Sequence, residues 1–297
     1  MSMIRDNFIE LEGSMQEVMD HFVKRKEDLT KKFFDISKST RAQENHIGMN
    51  ADGLMTEWGG QVSYSDIEKG HKNEYRHVKY SNGRQIEREL LDDEEFREVK
   101  TRAKSLSYGV IKTLNWHAVR PFEDGFSTFL AANGLSFFND AHYLRADNSD
   151  DSQDNKGVLA LNIDNFETVC KTMTQYKDDQ GHPMMIQPRM VIAGEYQRKT
   201  LKQMFGSEKE AFTSDNQINA YDDFTYFCTP WITGKKWITV DPEVMMGGTG
   251  LNWYMRRDPR KVEYTDDFDT EKGKYKVVGR WSYGVDMPLF ANGQDPA

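Results

Sequence analysis

The sequence predicts an α+β fold, and three observations carry that prediction. An Asn-Gly pair stands between two strand-like runs, one long apolar stripe of helical spacing follows it, and helical and strand-like runs then alternate. The 297 residues suggest ~2 domains and leave room for an ample core. With 48 acidic against 39 basic residues the net charge is -9, and 37% hydrophobic against 29% charged residues makes the chain more polar than an average globule. Its 17 Phe, 13 Tyr and 6 Trp nevertheless argue against wholesale disorder.

Taken in order, Met15, Val18, Met19 and Phe22 share one helix face, with a charged continuation over residues 24–32. That spacing fits an amphipathic N-terminal arm and the first core helix of an ordinary domain equally well. Residues 38–74 turn polar and are broken by Gly48, Gly53, Gly59, Gly60 and Gly70, while Met55, Trp58, Val62, Tyr64 and Ile67 recur at no helical period. So long a stretch without regular structure is unusual inside a compact domain. Its isolated large apolar side chains predict that it packs against something else. Residues 75–80 and 85–90 flank Ser81-Asn82-Gly83, which predicts a hairpin, because Asn and Gly both tolerate positive φ.

Asp92, Asp93, Glu94 and Glu95 then precede the stripe Phe96, Val99, Ala103, Leu106, Val110 and Leu114. The acids suit the positive end of a helix, and Asp92 with Glu95 has capping-box spacing. A helix over 94–117, stopping before Pro121, would be ~36 Å long and act as a strut. Beyond it lie an acidic loop with Asp147, Asp150, Asp151 and Asp154, and a helical stripe of Ile163, Phe166, Cys170 and Met173. A buried strand at residues 190–193 and a second helix over 195–205 follow, with strand-like runs at 224–228, 237–240, 262–264 and 275–283.

Templates for chemistry fail one after another. The run from Gly48 to Gly53 has the glycine spacing of a phosphate loop, but Leu54 and Met55 stand where Lys and Ser/Thr are needed, and Gly247-Gly248-Thr249-Gly250 has no basic neighbour. There is no Gly-x-Ser-x-Gly elbow and no Cys beside a local His, and Cys170 shares the apolar face of its helix. The seven histidines, His142 among them, show no zinc spacing. Asp147-x-Ser149-x-Asp151 lacks the glycine and terminal Glu of a calcium loop. Asp178-Asp179, Asp222-Asp223 and Asp266-Asp267 are adjacent acids that point apart in a strand or turn. No catalytic, cofactor-binding or metal-ligating residue is therefore assigned. Cys170 and Cys228 are too few for a disulfide framework. No apolar run is long enough to span a bilayer, so no membrane partner is expected, and Arg5, Asp6 and Glu10 near the start predict no signal peptide. An acidic chain does not grip nucleic acid through clustered cations, although it can enclose it.

Gly134, Phe137, Phe138 and His142, followed by an acidic loop and a helix over 163–176, resemble the corresponding segment of tailed-phage major capsid proteins, in particular the Mu-type head-subunit branch. The likeness continues through Asp178-Asp179-Gln180-Gly181-His182-Pro183, Gln187-Pro188-Arg189, Thr229-Pro230-Trp231 and residues 237–241 to residues 275–283. Upstream, Ser39-Thr40-Arg41, the Trp58 segment, the hairpin and the long helix fall in the same order. The chain departs from the branch at Tyr143, where Pro is usual, and in the acidity of residues 147–154.

The resemblance implies a capsid fold with an N-terminal arm (1–37), an extended loop and hairpin (38–91), a peripheral domain with a long spine helix (92–158), an axial domain (159–250) and a return to the peripheral domain (251–297). Met55, Trp58, Val62, Tyr64 and Ile67 become candidates for subunit contact. The implied function is structural and non-enzymatic: a virion head protein, assembled in the host cytoplasm, that closes into an icosahedral shell. Its implied partners are copies of itself in pentamers and hexamers, packaged double-stranded DNA held without sequence-specific binding, and portal, scaffold, maturation protease and decoration proteins. No cofactor is implied. The rival readings are a carboxylate-dependent hydrolase and a surface carbohydrate-binding module with Trp58, Trp231 and Trp253 as stacking platforms.

Overall fold

The computed structural model describes residues 2–49, 69–92, 96–143, 152–206, 219–267 and 269–296. In chain order its helices are α1 (Ser2–Arg25), α2 (Thr30–Phe33), α3 (Glu89–Asp92), α4 (Phe96–Asp124), α5 (Ile163–Thr174), α6 (Arg198–Phe205) and α7 (Pro242–Met245). Its strands are β1 (Asp35–Lys38), β2 (Gln43–Met49), β3 (Lys69–Arg76), β4 (Val78–Glu87), β5 (Lys156–Gly157), β6 (Met190–Gly194), β7 (Thr225–Thr229), β8 (Trp237–Val240), β9 (Leu251–Arg257), β10 (Val262–Asp267), β11 (Lys272–Val285) and β12 (Ala291–Gln294).

The 14-residue β11 organises the first sheet. Residues 272–277 pair with β10 on one edge and with β4 on the other, and residues 280–285 pair with β9, which carries β1 beyond it. Helices α1 and α4 pack on this sheet. Met15 and Met19 are fully buried with Leu106, Val110 and Leu114, so the described part of the first helix belongs to the subunit's own core. Asn162 caps α5 by accepting from Asn165 N–H at 2.8 Å, and Asp241 caps α7, which has Pro242 in its first turn.

The second sheet, in the order β5-β12-β8-β6-β7, is a wall between two cores. Strand residues alternate faces. Ile192, Ile238 and Val240 therefore face the core of the first sheet, whereas Val191, Ala193 and Trp237 join a second core with Phe166, Met173, Leu201 and Phe205.

Three expectations need correction. Asn82-Gly83 does not turn: β4 runs straight through it, paired residue for residue from Val78↔Trp281 to Glu87↔Lys272, and Gly83 keeps a negative φ. Ten ladder positions on a buried partner outweigh a local turn preference worth a fraction of that. Pro121 does not stop the long helix, which continues to Asp124 and reaches ~44 Å at 1.5 Å per residue. Only the bond to the His117 carbonyl is forfeited. The last turn is held by buried Phe122, 5.2 Å edge-on from Phe33, and by the 2.7 Å Arg120–Asp124 pair. Finally, residues 43–49 and 69–76 are paired strands, with one register shift between Ile47 and Met49, rather than chain without secondary structure. The expected capping box and helix start involve residues 93–95, outside the described residues.

Candidate functional site at the root of a two-stranded ribbon

Among the described residues strands β2 and β3 pair only with each other, from Gln43↔Arg76 to Met49↔Lys69, and form a ribbon apart from the two larger sheets. Polar sequence makes this strand pair by alternation. Lys72, Glu74 and Arg76 face solvent, with Lys72 and Glu74 paired at 2.6 Å, while His71, Asn73 and Tyr75 face the body. Ile47 remains 44% exposed. The residues that join the two strands are 50–68, so the contact candidates Met55, Trp58, Val62, Tyr64 and Ile67 all lie outside the described residues.

Two polar hubs fix the ribbon's root. In the first, Asp286 follows β11 and accepts four side-chain hydrogen bonds. Its Oδ1 takes Tyr75 OH at 2.6 Å and Asn73 Nδ2 at 2.8 Å, and its Oδ2 takes Asn252 Nδ2 at 2.7 Å and His46 Nδ1 at 2.5 Å. Three of these donors belong to the ribbon and one to β9. Burial, reinforced by the adjacent carboxylate, pushes the Tyr75 hydroxyl far above its ordinary value, so it stays protonated and donates.

In the second hub His77 is nearly buried between Ser39 and Ser282, at 2.9 Å on each side. The single Ser39 hydroxyl proton goes to Glu44 at 2.7 Å. Ser39 must then accept from His77 Nε2–H, which leaves Nδ1 to accept from Ser282. Burial first, then nearby Arg280 and Arg256, lower the His77 pKa and keep the ring neutral.

The residues tested for chemistry have structural roles. His142 is fully buried and donates from Nε2 to the Phe137 carbonyl at 3.0 Å while Nδ1 accepts from Asn133 at 2.9 Å, and burial lowers its pKa. Its backbone pairs both ways with Gln153, pinning the two ends of the acidic loop. Asp147, Asp150 and Asp151 lie outside the described residues; Asp154 accepts from Lys156 N–H at 2.7 Å. Burial pushes the Cys170 thiol up to about 12, which makes it a poor nucleophile. Behind the ribbon lies a cavity of about 500 Å³. Of the three acids that line it, Asp286 is engaged as above and Asp178 by the backbone N–H groups of Gln180 and His182. Among the described residues no group of three His, Cys, Asp or Glu is placed to hold a metal ion, and no helix is long and apolar enough to cross a membrane.

The carbohydrate-binding reading loses one of its three platforms to geometry, while Trp231 is half-buried and Trp58 lies outside the described residues. Trp253 is fully buried, stacked 5.0 Å from Tyr283 and 5.9 Å from Trp281, and offers no face to a sugar. Sequence reasoning missed Asp286, Tyr75, His77 and Asn155. Asn155 is completely buried and joins the Phe137 carbonyl to those of Pro288 and Ala291. None of the four sits in a motif.

No protein of curated function matches this sequence. Solved structures match its fold at low identity. The mature capsid of bacteriophage PhiM1 aligns with a TM-score of 0.61 at 8% identity, over 92% of this chain and 88% of that one. A virus-like particle from Pyrococcus furiosus aligns at 0.54 and 8%, over 95% and 98%. The capsid of bacteriophage JBD30, decorated with minor capsid protein trimers, aligns at 0.52 and 14%, over 70% and 92%. The family model described as phage capsid protein matches residues 72–291, from within β3 to the first residue of β12; α1, α2, β1 and β2 precede the matched stretch. The chain belongs to the phage capsid protein family.

Proposed function

We propose that many copies of this chain close into an icosahedral shell, through pentamers and hexamers, around double-stranded DNA. The protein is a structural capsid subunit rather than an enzyme. The observation that supports the shell reading is the ribbon: a sheet of its own among the described residues, clamped at its root to the body, whose joining segment carries the five contact candidates.

Within this reading residues 38–91 include the extended loop and 92–158 the peripheral domain built on α4. Residues 159–250 form the axial domain, supported by the separate core around Phe166. Residues 251–297 return to the peripheral domain and also lend β12 to the second sheet. Residues 1–37 form the N-terminal arm, packed here on α4. The Mu-type assignment rests on the order of motifs from Gly134 to His182. Assembly takes place in the host cytoplasm, with portal, scaffold, maturation protease and decoration proteins as the further partners.

Light scattering across a dilution series, with negative-stain electron microscopy of the scattering fraction, tests the proposal. Concentration-dependent closed particles are expected. A monodisperse monomer at high concentration, with scaffold supplied, overturns it.

A further inference from the structure

We propose that the face formed by α1, α2 and α4 is a contact surface for the phosphate backbone of duplex DNA, indifferent to sequence. The inference rests on the reading of the protein as a DNA container and names the part of the subunit that touches the contents.

The placement of α4 against α1 and the turn that follows it carries it. Phe22 meets Tyr108 edge-on at 6.1 Å, and Leu29 N–H donates to Asn115 Oδ1 at 3.0 Å, so both contacts keep an offset of 86 residues. Lys26, just past the end of α1, and Lys112 have the same offset, and both line one groove of about 310 Å³ together with Tyr108, Asn115 and Trp231. Among the described residues neither lysine has an ion-pair partner, and the same holds for exposed Arg25, Lys31 and Lys104. Glu27 also lines the groove but is engaged by Lys32 at 2.9 Å.

Along α4 the exposed positions advance by four: Lys100, Lys104, Tyr108, Lys112 and Trp116, with Arg120 stacked 4.9 Å over Trp116. Residues four apart lie on one ridge inclined to the helix axis, so these form one row in which three lysines accompany Tyr108 and Trp116, ~24 Å from Lys100 to Trp116 at 1.5 Å per residue. Arg120 is paired with Asp124, and Glu17 and Asp20 are exposed on α1, but Lys100, Lys104 and Lys112 have no ion-pair partner among the described residues, and such unpaired like charge favours a polyanion over the row. A row of this length fits an extended polyanion better than a compact anion. It stands out in a chain whose net charge is -9. Few contacts give a weak, salt-sensitive hold, which is compatible with a genome that must later leave.

The test uses the full-length subunit, short fluorescent duplexes of two unrelated sequences, and anisotropy across a potassium chloride series. Equal affinity for the two duplexes is expected, falling linearly with the logarithm of salt. Lys26→Gln with Lys112→Gln should reduce the slope by ~1.8, at ~0.9 per phosphate contact, and weaken low-salt binding on the order of tenfold. Lys171→Gln on α5, whose lysine is already paired with Glu167, should change neither. Circular dichroism checks that each variant is folded.

Absence of low-salt binding by the wild type overturns the proposal, as does an unchanged slope in the double variant. Loss of shells with duplex binding intact also overturns it, because the face would then join copies of the chain. Failure of the container reading shows separately, as wild-type protein that forms no shells by electron microscopy.

Discussion

Asp286 holds the ribbon because both its oxygens are occupied by donors from elements far apart in sequence. In Asp286→Asn one oxygen becomes an NH₂ group facing two donors, and the charge that strengthens the other bonds disappears. We expect a loss of ~2–4 kcal/mol. In hydrogen exchange, protection should fall first in residues 43–49 and 69–76, with α4 and β11 still protected; a uniform loss would refute the anchoring role. His117 makes a pH prediction. It is 3% exposed, and burial with nearby Arg120 lowers its pKa to about 4. The folded value lies below the ordinary value of about 6.5, so the neutral ring stabilises the fold above that pH. The contribution is lost as pH falls from about 6.5 towards 4, up to ~3 kcal/mol at ~1.4 kcal/mol per unit. His77 and His142 shift in the same direction. The urea midpoint should therefore drop between about pH 7 and pH 4.5, and drop less in His117→Phe. The place of Cys170 on its helix beside buried Phe166 and Met173 was legible in the sequence, because the apolar spacing of 163–173 puts them on one face. Asp286 was not legible, since its ribbon partners lie more than 200 residues away.

Elements with strong internal periodicity were read well: α5 and β8 fall where their apolar spacing puts them, and α4 exceeds its expected end. Elements defined by a partner were read badly. β12, Ala-Asn-Gly-Gln, has no β-branched or aromatic residue, yet all four positions are buried. It is a strand because its amides are satisfied in place: Asn292 donates to Tyr176 OH at 2.9 Å, and Gln294 accepts from Leu159 N–H at 2.9 Å. The ribbon was missed for a related reason, since its alternation is among polar residues and becomes visible only with Asp286 and His77 behind it. The Asn82-Gly83 correction gives a paired test. Gly83 lies in a strand, where a Cβ would meet the Tyr275 carbonyl at 3.3 Å, so Gly83→Ala should cost less than ~1 kcal/mol. Gly134 has open space around it but a φ of +78°, so Gly134→Ala should cost ~1–2 kcal/mol from backbone conformation alone. Thermal melts of the two variants would decide, and the reverse ranking would restore the hairpin.

At the scale of the whole subunit, Trp58→Ala should impair shell formation while leaving the subunit folded, because an aromatic anchor at a contact between copies commonly contributes ~2 kcal/mol or more. The loss repeats at each copy of the contact. Sedimentation should show fewer or weaker shells while circular dichroism stays near wild type; an unfolded variant would instead assign Trp58 to the subunit's own core. The second sheet has a further consequence, for synthesis. β5 pairs only with β12, and β12 also borders β8, so the strand translated last in that sheet is the one that joins its two parts. On the ribosome Lys156 must wait for Gly293, and such distant pairing is slow to form. A nascent chain held short of β12 therefore shows neighbouring subunits an unfinished sheet. Synthesis of β12 is thus the step that unites this sheet.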